Sequence, residues 1–386
     1  MKEFEGIEVV IAGDTVPTKS NEILFKNGAI DELFGSECIE LFQKADLRVI
    51  NLETPLLSVD NPVDKFGPSL RANPDTIHAL KKLGVNLVSM ANNHIRDQGD
   101  EGIKCTIQTL EHEGMNYIGA GENIEAARIP FFISKGNVTV GFYSVCETEF
   151  SYATESRSGA NSIDIFTTCS DIMLAKKKCD HLVVLFHGGR EEYRYPTPQE
   201  QHLARKMVDA GADVVLAQHS HCIGSSECYH GKYILYGQGN FIFDLCDDDN
   251  WKTGLIVRLL FGKKSIDIDC KPIQKIDNKV IVASKEEAKN IISEIKQRSK
   301  LCDSEDNVSS LYRDLIREDR WNCLYMFGGK LTANKLFRWL DKVTKHKLIM
   351  KLYNKHILLA MLNTVQCETH REKLIESLES VIEKRL

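Results

Sequence analysis

The residues of this sequence with the most evident chemistry are histidines placed where apolar runs stop. Residues 182–186 end in His187, and residues 213–218 end in His219-Ser220-His221. In an extended segment, side chains two apart point to the same side, so His219 and His221 can reach one ion or two adjacent ions. His187 would join them from a neighbouring strand end. Other polar groups repeat this placement. Asp14 follows the apolar residues 7–12 and Gly13, Glu53 follows residues 47–52 and precedes Pro55, and Asn93 and His94 follow residues 86–90. Amide and imidazole groups just past a buried strand are costly to leave unpaired, which favours a polar site over packing. Asp14, Glu53, Asn93, His187, His219 and His221 form a set of oxygen and nitrogen donors without a thiolate, suited to Mn, Zn or Fe rather than to a structural zinc. Two divalent ions sharing a carboxylate would activate a water and clamp the oxygens of a phosphoryl group. Arg190, after Gly188-Gly189, either pairs with a phosphate or carboxylate of a substrate or makes a salt bridge at the rim. Asn240 either lines the site or serves a turn.

The elements that must position these groups follow from the hydrophobic period. Short apolar runs bounded by Gly and polar residues predict buried strands at 7–12, 47–52, 86–90, 129–133, 138–143, 182–187 and 213–218. Helical spacing predicts helices at 74–83, with Gly84 as C-cap, and at 102–114, 163–178 and 198–211. The order implies an α/β sheet covered by helices, with ligands collecting at the carboxyl ends of its strands. Residues 146–161 are polar and predict a long loop. Runs at 233–236, 241–244, 255–260, 265–270 and 279–282 are expected to complete the sheet. Beyond Ser284 the character changes to Lys- and Glu-rich helical pattern, with Trp321, Phe327, Phe337 and Trp339 on apolar faces. The expectation is a domain over residues 1–283 and a helical appendage over 284–386.

At 386 residues the chain exceeds the size at which one hydrophobic core stops growing. Its apolar share of 42%, charged share of 27% and net charge of −6 are ordinary for a globular protein and give no basic footprint for nucleic acid. The start, Met1-Lys2-Glu3-Phe4-Glu5-Gly6, lacks the basic and apolar regions of a signal peptide, and no apolar segment approaches the roughly 20 residues of a membrane span. The expectation is a cytoplasmic chain whose 12 cysteines, scattered without a CxxC pair, stay reduced.

The series Ile11-Ala12-Gly13-Asp14, Asn51-Leu52-Glu53-Thr54-Pro55, Ala91-Asn92-Asn93-His94 with Asp97 and Gly99, Gly211-Ala212-Asp213 with His219-Ser220-His221, and Gly239-Asn240-Phe241 resembles the CapA family over about residues 7–245. These are capsule and poly-γ-glutamate biosynthesis proteins whose domain looks like the calcineurin-type metallophosphoesterase fold. The resemblance implies a four-layer αββα sandwich and a two-metal centre. Asp14 and His221 would bind one ion, Glu53 would bridge, and Asn93, His187 and His219 would bind the other. His94 would be the general acid that protonates the leaving oxygen. Val16 stands where that superfamily carries a metal-binding His, and Glu53 where it carries an Asp, so the first ion has three protein ligands at most. Two functions follow. One is a metal-dependent hydrolase of a phosphoester or a glutamyl amide, acting on a small molecule or a polymer. The other is an assembly factor that uses the site for binding, beside a biosynthetic partner protein.

Overall fold

The computed structural model describes residues 6–383; the acidic lead at residues 1–5 lies outside it. The chain opens with β1 (Ile7–Thr15), three short helices α1 (Glu22–Lys26), α2 (Ile30–Leu33) and α3 (Ser36–Lys44), then β2 (Leu47–Leu52), α4 (Ile77–Leu83), β3 (Leu87–Ser89), α5 (Gly99–His112) and β4 (Asn116–Ile118). Next come β5 (Ala120–Gly121), α6 (Ile124–Ala127), β6 (Phe131–Lys135), β7 (Val138–Cys146), β8 (Gly159–Ala160), α7 (Ile165–Lys176), β9 (His181–His187), α8 (Pro198–Asp209) and β10 (Val214–Gln218). The strands β11 (Ser226–Tyr229), β12 (Lys232–Leu235), β13 (Asn240–Ile242), β14 (Thr253–Phe261), β15 (Ile266–Ile276) and β16 (Lys279–Val282) lead to α9 (Lys285–Lys300).

Local chemistry accounts for the element ends. Thr197 and Glu200 form a reciprocal capping box at the start of α8, with Pro198 at the first helical position; Ser284 and Glu287 do the same for α9. Gly84 takes the left-handed conformation that ends α4, with φ of 99°.

The strands form two large sheets rather than the single one expected from the hydrophobic pattern. One has the order β16-β15-β14-β1-β2-β3-β4, with β13 also paired to β1; the other has the order β11-β12-β10-β9-β7-β6. A run of buried apolar residues shows that a strand is covered on both faces but not which sheet it joins. Alternation along the strands then assigns the layers. Val9 and Ile11 of β1 and Val49 of β2 pack with Val140, Val183, Leu185, Val214 and Leu216 between the sheets. Val10, Ala12, Ile50 and Val88 face the opposite way, against Phe25, Phe42, Leu80 and Leu110 of the covering helices. On the far side, Val184, Phe186 and Val215 meet Ile172, Leu203 and Met207 of α7 and α8. The result is a four-layer αββα sandwich.

Two local expectations differ. Helices α1 to α3 occupy a stretch with no sustained period, since Gly28 and Gly35 separate them into pieces too short to show one. Residues 146–161, expected as a loop, contain β8, which pairs with β5.

The chain divides into two compact units between Ser309 and Ser310. The first includes α9, whose Ile291, Ile292 and Ile295 join the core between the sheets, although its charged sequence had placed it with the tail. The second comprises most of α10 (Glu305–Phe327), then α11 (Gly329–Ala333), α12 (Lys335–Val343), α13 (Lys347–Leu352), α14 (Lys355–Gln366) and α15 (Glu368–Glu383). Its small core is Tyr325, Ile349 and Tyr353. Among the described residues no helix is long and apolar enough to cross a membrane. All 12 cysteines are free thiols.

Gly13 is fixed by close approach. A Cβ there would lie 2.1 Å from the carbonyl oxygen of Gly239, where β13 closes on β1. Gly13→Ala should therefore cost about 1–3 kcal/mol, read as a lower midpoint in urea unfolding; an unchanged midpoint would show that this strand pairing yields freely.

Candidate metal centre

Each sequence-predicted donor sits at a strand end, and the two sheets bring their carboxyl edges together there. In β1 the pairing register with β2 shifts between Ile11 and Asp14, and Asp14 is then level with Asn51 of β2 and Asn240 of β13. Such a bulge re-aims the side chain that follows it. Glu53 is the first residue after β2. His187 ends β9, paired with Cys146 of β7 and Gln218 of β10. His219 and His221 follow β10, but not in the extended form that their spacing suggested. Their φ values are 94° and 52°, left-handed backbone in both cases. It is this tight loop, and not strand alternation, that turns both rings inward, at a cost of about 1–3 kcal/mol per strained residue.

The side chains converge. Asp14 Oδ1 accepts from Asn51 Nδ2 at 2.7 Å, and Asp14 Oδ2 accepts from the His219 backbone N–H at 3.1 Å. His221 Nδ1 is 3.4 Å from Asp14 Oδ2, and His187 Nε2 is 3.4 Å from Glu53 Oε1. His187 Nε2 also lies 3.0 Å from Asn93 Oδ1 and 3.1 Å from His219 Nδ1. Two sets of donor atoms lie within 4.8 Å of one another: Asp14, Glu53 and His187, and Glu53, His219 and His221. Glu53 belongs to both. The pairs that the resemblance grouped, His221 with Asp14 and His187 with His219, also lie in contact, at 3.4 and 3.1 Å.

Charge in the cluster is unevenly met. Burial works against ionised Asp14, yet His221 and His187 beside it and the amide of Asn51 hold its pKa at about 2. Burial likewise opposes charge on His221 and His187, and the Glu53 and Asp14 carboxylates overcome it, raising His221 to about 9 and His187 above its usual value. His219 goes the other way: burial and the two neighbouring imidazoles push its pKa well down. A neutral His219 keeps a ring lone pair for a Lewis acid. Glu53 is wholly buried, and among the described residues neither of its carboxylate oxygens has a hydrogen-bond partner. Its nearest charged neighbours are the His187 and His221 imidazoles at 3.4 and 3.9 Å, and a buried carboxylate that accepts no hydrogen bond is open to a cation. The donor set therefore fits divalent metal.

Around this cluster lie Asn92, Lys65 and Trp251, to which the sequence reading gave no role, beside His94, Asn240 and Arg190, to which it did. Asn92 Nδ2 donates to Asn51 Oδ1 at 3.0 Å, so a chain of amides orients Asn51 toward Asp14. His94 is buried, with Nδ1 2.7 Å from Asp97 Oδ2. Asp97 also accepts from the Leu70 backbone N–H at 2.6 Å and from Lys65 Nζ at 2.5 Å, and Lys65 Nζ is 3.3 Å from His94 Nδ1. The segment between Leu56 and Ala72, which bridge to each other, is thus tied down beside His94. The His94-x-x-Asp97 spacing was visible in the sequence; Lys65, 29 residues upstream, carried no such signal. Asn240 has both ends of its amide engaged, Oδ1 3.0 Å from His221 Nδ1 and Nδ2 donating to the Trp251 carbonyl at 3.2 Å. That arrangement orients His221. Trp251 lies tilted against the His221 ring, with centroids 4.2 Å apart, and joins Val16, Leu70 and Phe243 in an apolar wall. Arg190 is half-buried on the turn after β9, a turn tied to the histidine loop by Glu192 N–H to the Ser220 carbonyl at 2.9 Å.

Known proteins resemble this chain over the part that carries the site. A family model described as "Bacterial capsule synthesis protein PGA_cap" matches residues 8–245. The capsule biosynthesis protein CapA of Bacillus anthracis is 30% identical over 254 residues, 63% of this chain and 61% of that protein. The PGA biosynthesis protein CapA of Bacillus subtilis strain 168 is 30% identical over 239 residues, 60% of this chain and 62% of its own length. The chain thus spans less than two thirds of either relative. Among solved structures, a 5'-nucleotidase precursor from Thermus thermophilus aligns over 75% of this chain and 58% of its own, at 12% identity and a TM-score of 0.42.

Two substitutions test the site. Glu53→Gln keeps the shape and removes the buried charge; metal analysis should find its bound ion reduced to background, while the chelator-treated variant unfolds no earlier than chelator-treated wild type. Retention of the metal would remove Glu53 from the site. Asp97→Ala leaves Lys65 buried without its partner and should cost about 3 kcal/mol, with new protease cleavage between residues 58 and 72.

Proposed function

The chain belongs to the bacterial capsule synthesis protein family, and on that premise we propose that it is a metal-dependent hydrolase that cleaves a phosphoester or a γ-glutamyl amide during capsule or poly-γ-glutamate biosynthesis. The observation that carries this reading is Glu53, buried with neither oxygen accepting a hydrogen bond and common to two groups of donors. Asp14, Glu53, Asn93, His187, His219 and His221 would hold one or two divalent ions of the Mn, Zn or Fe kind, which when bound activate water and polarise the oxygen under attack. The remaining steps belong to the chain. Asp97 fixes the His94 ring through Nδ1, which leaves Nε2 to deliver a proton to the departing oxygen or nitrogen. Lys65, held on the other oxygen of Asp97, keeps that carboxylate in place. Asn240 and Trp251 hold His221 from behind. A surface cleft of about 420 Å³ shares Val16, Leu70 and Phe243 with the apolar wall and offers room for substrate beside it.

One observation supports the second reading, an assembly factor with little turnover. Val16 is buried in the apolar wall next to His221, where a further donor would complete the first ion's ligands. Such a site would bind metal loosely and serve recognition more than catalysis.

Turnover separates the two. With Mn, Zn or Fe restored, the protein should hydrolyse at least one member of a panel of phosphomonoesters, phosphodiesters and γ-glutamyl peptides. His94→Gln should lower kcat by about 10²–10⁴-fold with metal content unchanged. Full activity in chelator-treated protein would sink the hydrolase reading, and no turnover on any panel member with metal bound would leave the assembly factor.

A further inference from the structure

In the second unit, α12 carries its apolar residues on the outside. Leu336, Trp339, Leu340 and Val343 recur at i, i+3, i+4 and i+7, one continuous stripe of a helix. Such a stripe ordinarily faces a core. Here the four side chains are exposed by 64%, 60%, 40% and 63%. The helix is locked in this orientation from its other side. Asp341 is fully buried and accepts from the Tyr325 hydroxyl at 2.7 Å, from the backbone N–H groups of Leu348 and Ile349 at 2.9 Å each, and from His346 Nδ1 at 2.9 Å. Phe337, one turn earlier, packs with Tyr325 and Ile349. Rotating the stripe inward would expose Phe337 and break every one of these bonds.

Along the sequence, the stretch that carries the stripe is one-sided in charge as well. Residues 328–367 contain eight Lys and Arg against a single acid, Asp341, in a chain whose net charge is −6. Because that acid is buried and fully engaged, the exposed charge of this stretch is basic. Lys335 and Lys342 are exposed on α12 itself, beside Trp339 on the helix surface. Further along, Met350, Leu352, Leu359 and Leu362 are also exposed.

We propose that this face of α12 docks on an anionic lipid surface. The stripe sinks to the acyl boundary, Trp339 sits at headgroup depth, and the flanking lysines pair with lipid phosphates. The helix lies on the bilayer; at nine residues it is far too short to span one. A second copy of the chain is a poorer occupant, because a twofold contact through the stripe would set the same lysines against one another.

The test uses the full chain and co-sedimentation with vesicles of phosphatidylglycerol or of phosphatidylcholine, at low and high salt. The protein should partition onto phosphatidylglycerol, release with salt, and stay in solution with phosphatidylcholine. Leu336→Glu with Trp339→Glu should weaken partitioning by about tenfold or more, and Lys335→Glu with Lys342→Glu should weaken it on phosphatidylglycerol. Unchanged metal content and circular dichroism in both variants would show that the fold is intact. Equal partitioning onto both lipids, no partitioning onto either, or a dimer that Leu336→Glu dissociates while vesicle binding is absent would each overturn the proposal.

Discussion

Two carboxylates buried at the meeting edge of two sheets set the terms for the rest of this structure. Asp14 and Glu53 are both fully excluded from solvent, and burying a charge is costly unless opposite charge and hydrogen bonds meet it. Asp14 is met from within the chain by Asn51, the His219 backbone and His221. Glu53 accepts no hydrogen bond among the described residues. A buried carboxylate that accepts no hydrogen bond is an arrangement that a cation fits better than packing does.

The surrounding frame serves that pair. The bulge in β1 aims Asp14, the amides of Asn92 and Asn51 fix its hydrogen bonding, and left-handed backbone at His219 and His221 brings both rings onto the carboxylates. Strain at those two histidines persists because β10 on one side and the bridge from Ile223 to Gln238 on the other hold the loop ends in place. Behind the rings, Trp251 and Asn240 leave His221 little freedom to turn away. In front, the segment from Leu56 to Ala72 is pinned through Asp97 and places Lys65 beside His94.

The two units share one logic at different scales. In the first, the Glu53 carboxylate is left without a hydrogen bond inside a polar cluster. In the second, an apolar stripe is left without a cover while the polar side of the same helix is buried and fully bonded. In each case the orientation is enforced by the chain's own contacts.

Much of the candidate site was legible in the sequence because polar groups at strand ends leave a local mark: an apolar run and, at or just past its end, Asp14, Glu53, Asn93 or His187. Burial on both faces makes that run uniform, and the helices between runs show their own period, so the α/β class and the donor set follow from patterns a few residues long. Those same patterns do not say which of two sheets a strand joins, that His219 and His221 adopt left-handed backbone, that α9 belongs to the core of the first unit, or that Lys65 reaches His94. These depend on contacts between residues far apart in the chain, and periodicity carries no distance information beyond its own element. The sequence placed Phe337 and Trp339 alike on apolar helical faces; only the tertiary structure decided that Phe337 packs inward and Trp339 faces outward, because the bonds of Asp341 to Tyr325, His346 and the α13 backbone fix the rotation of the helix.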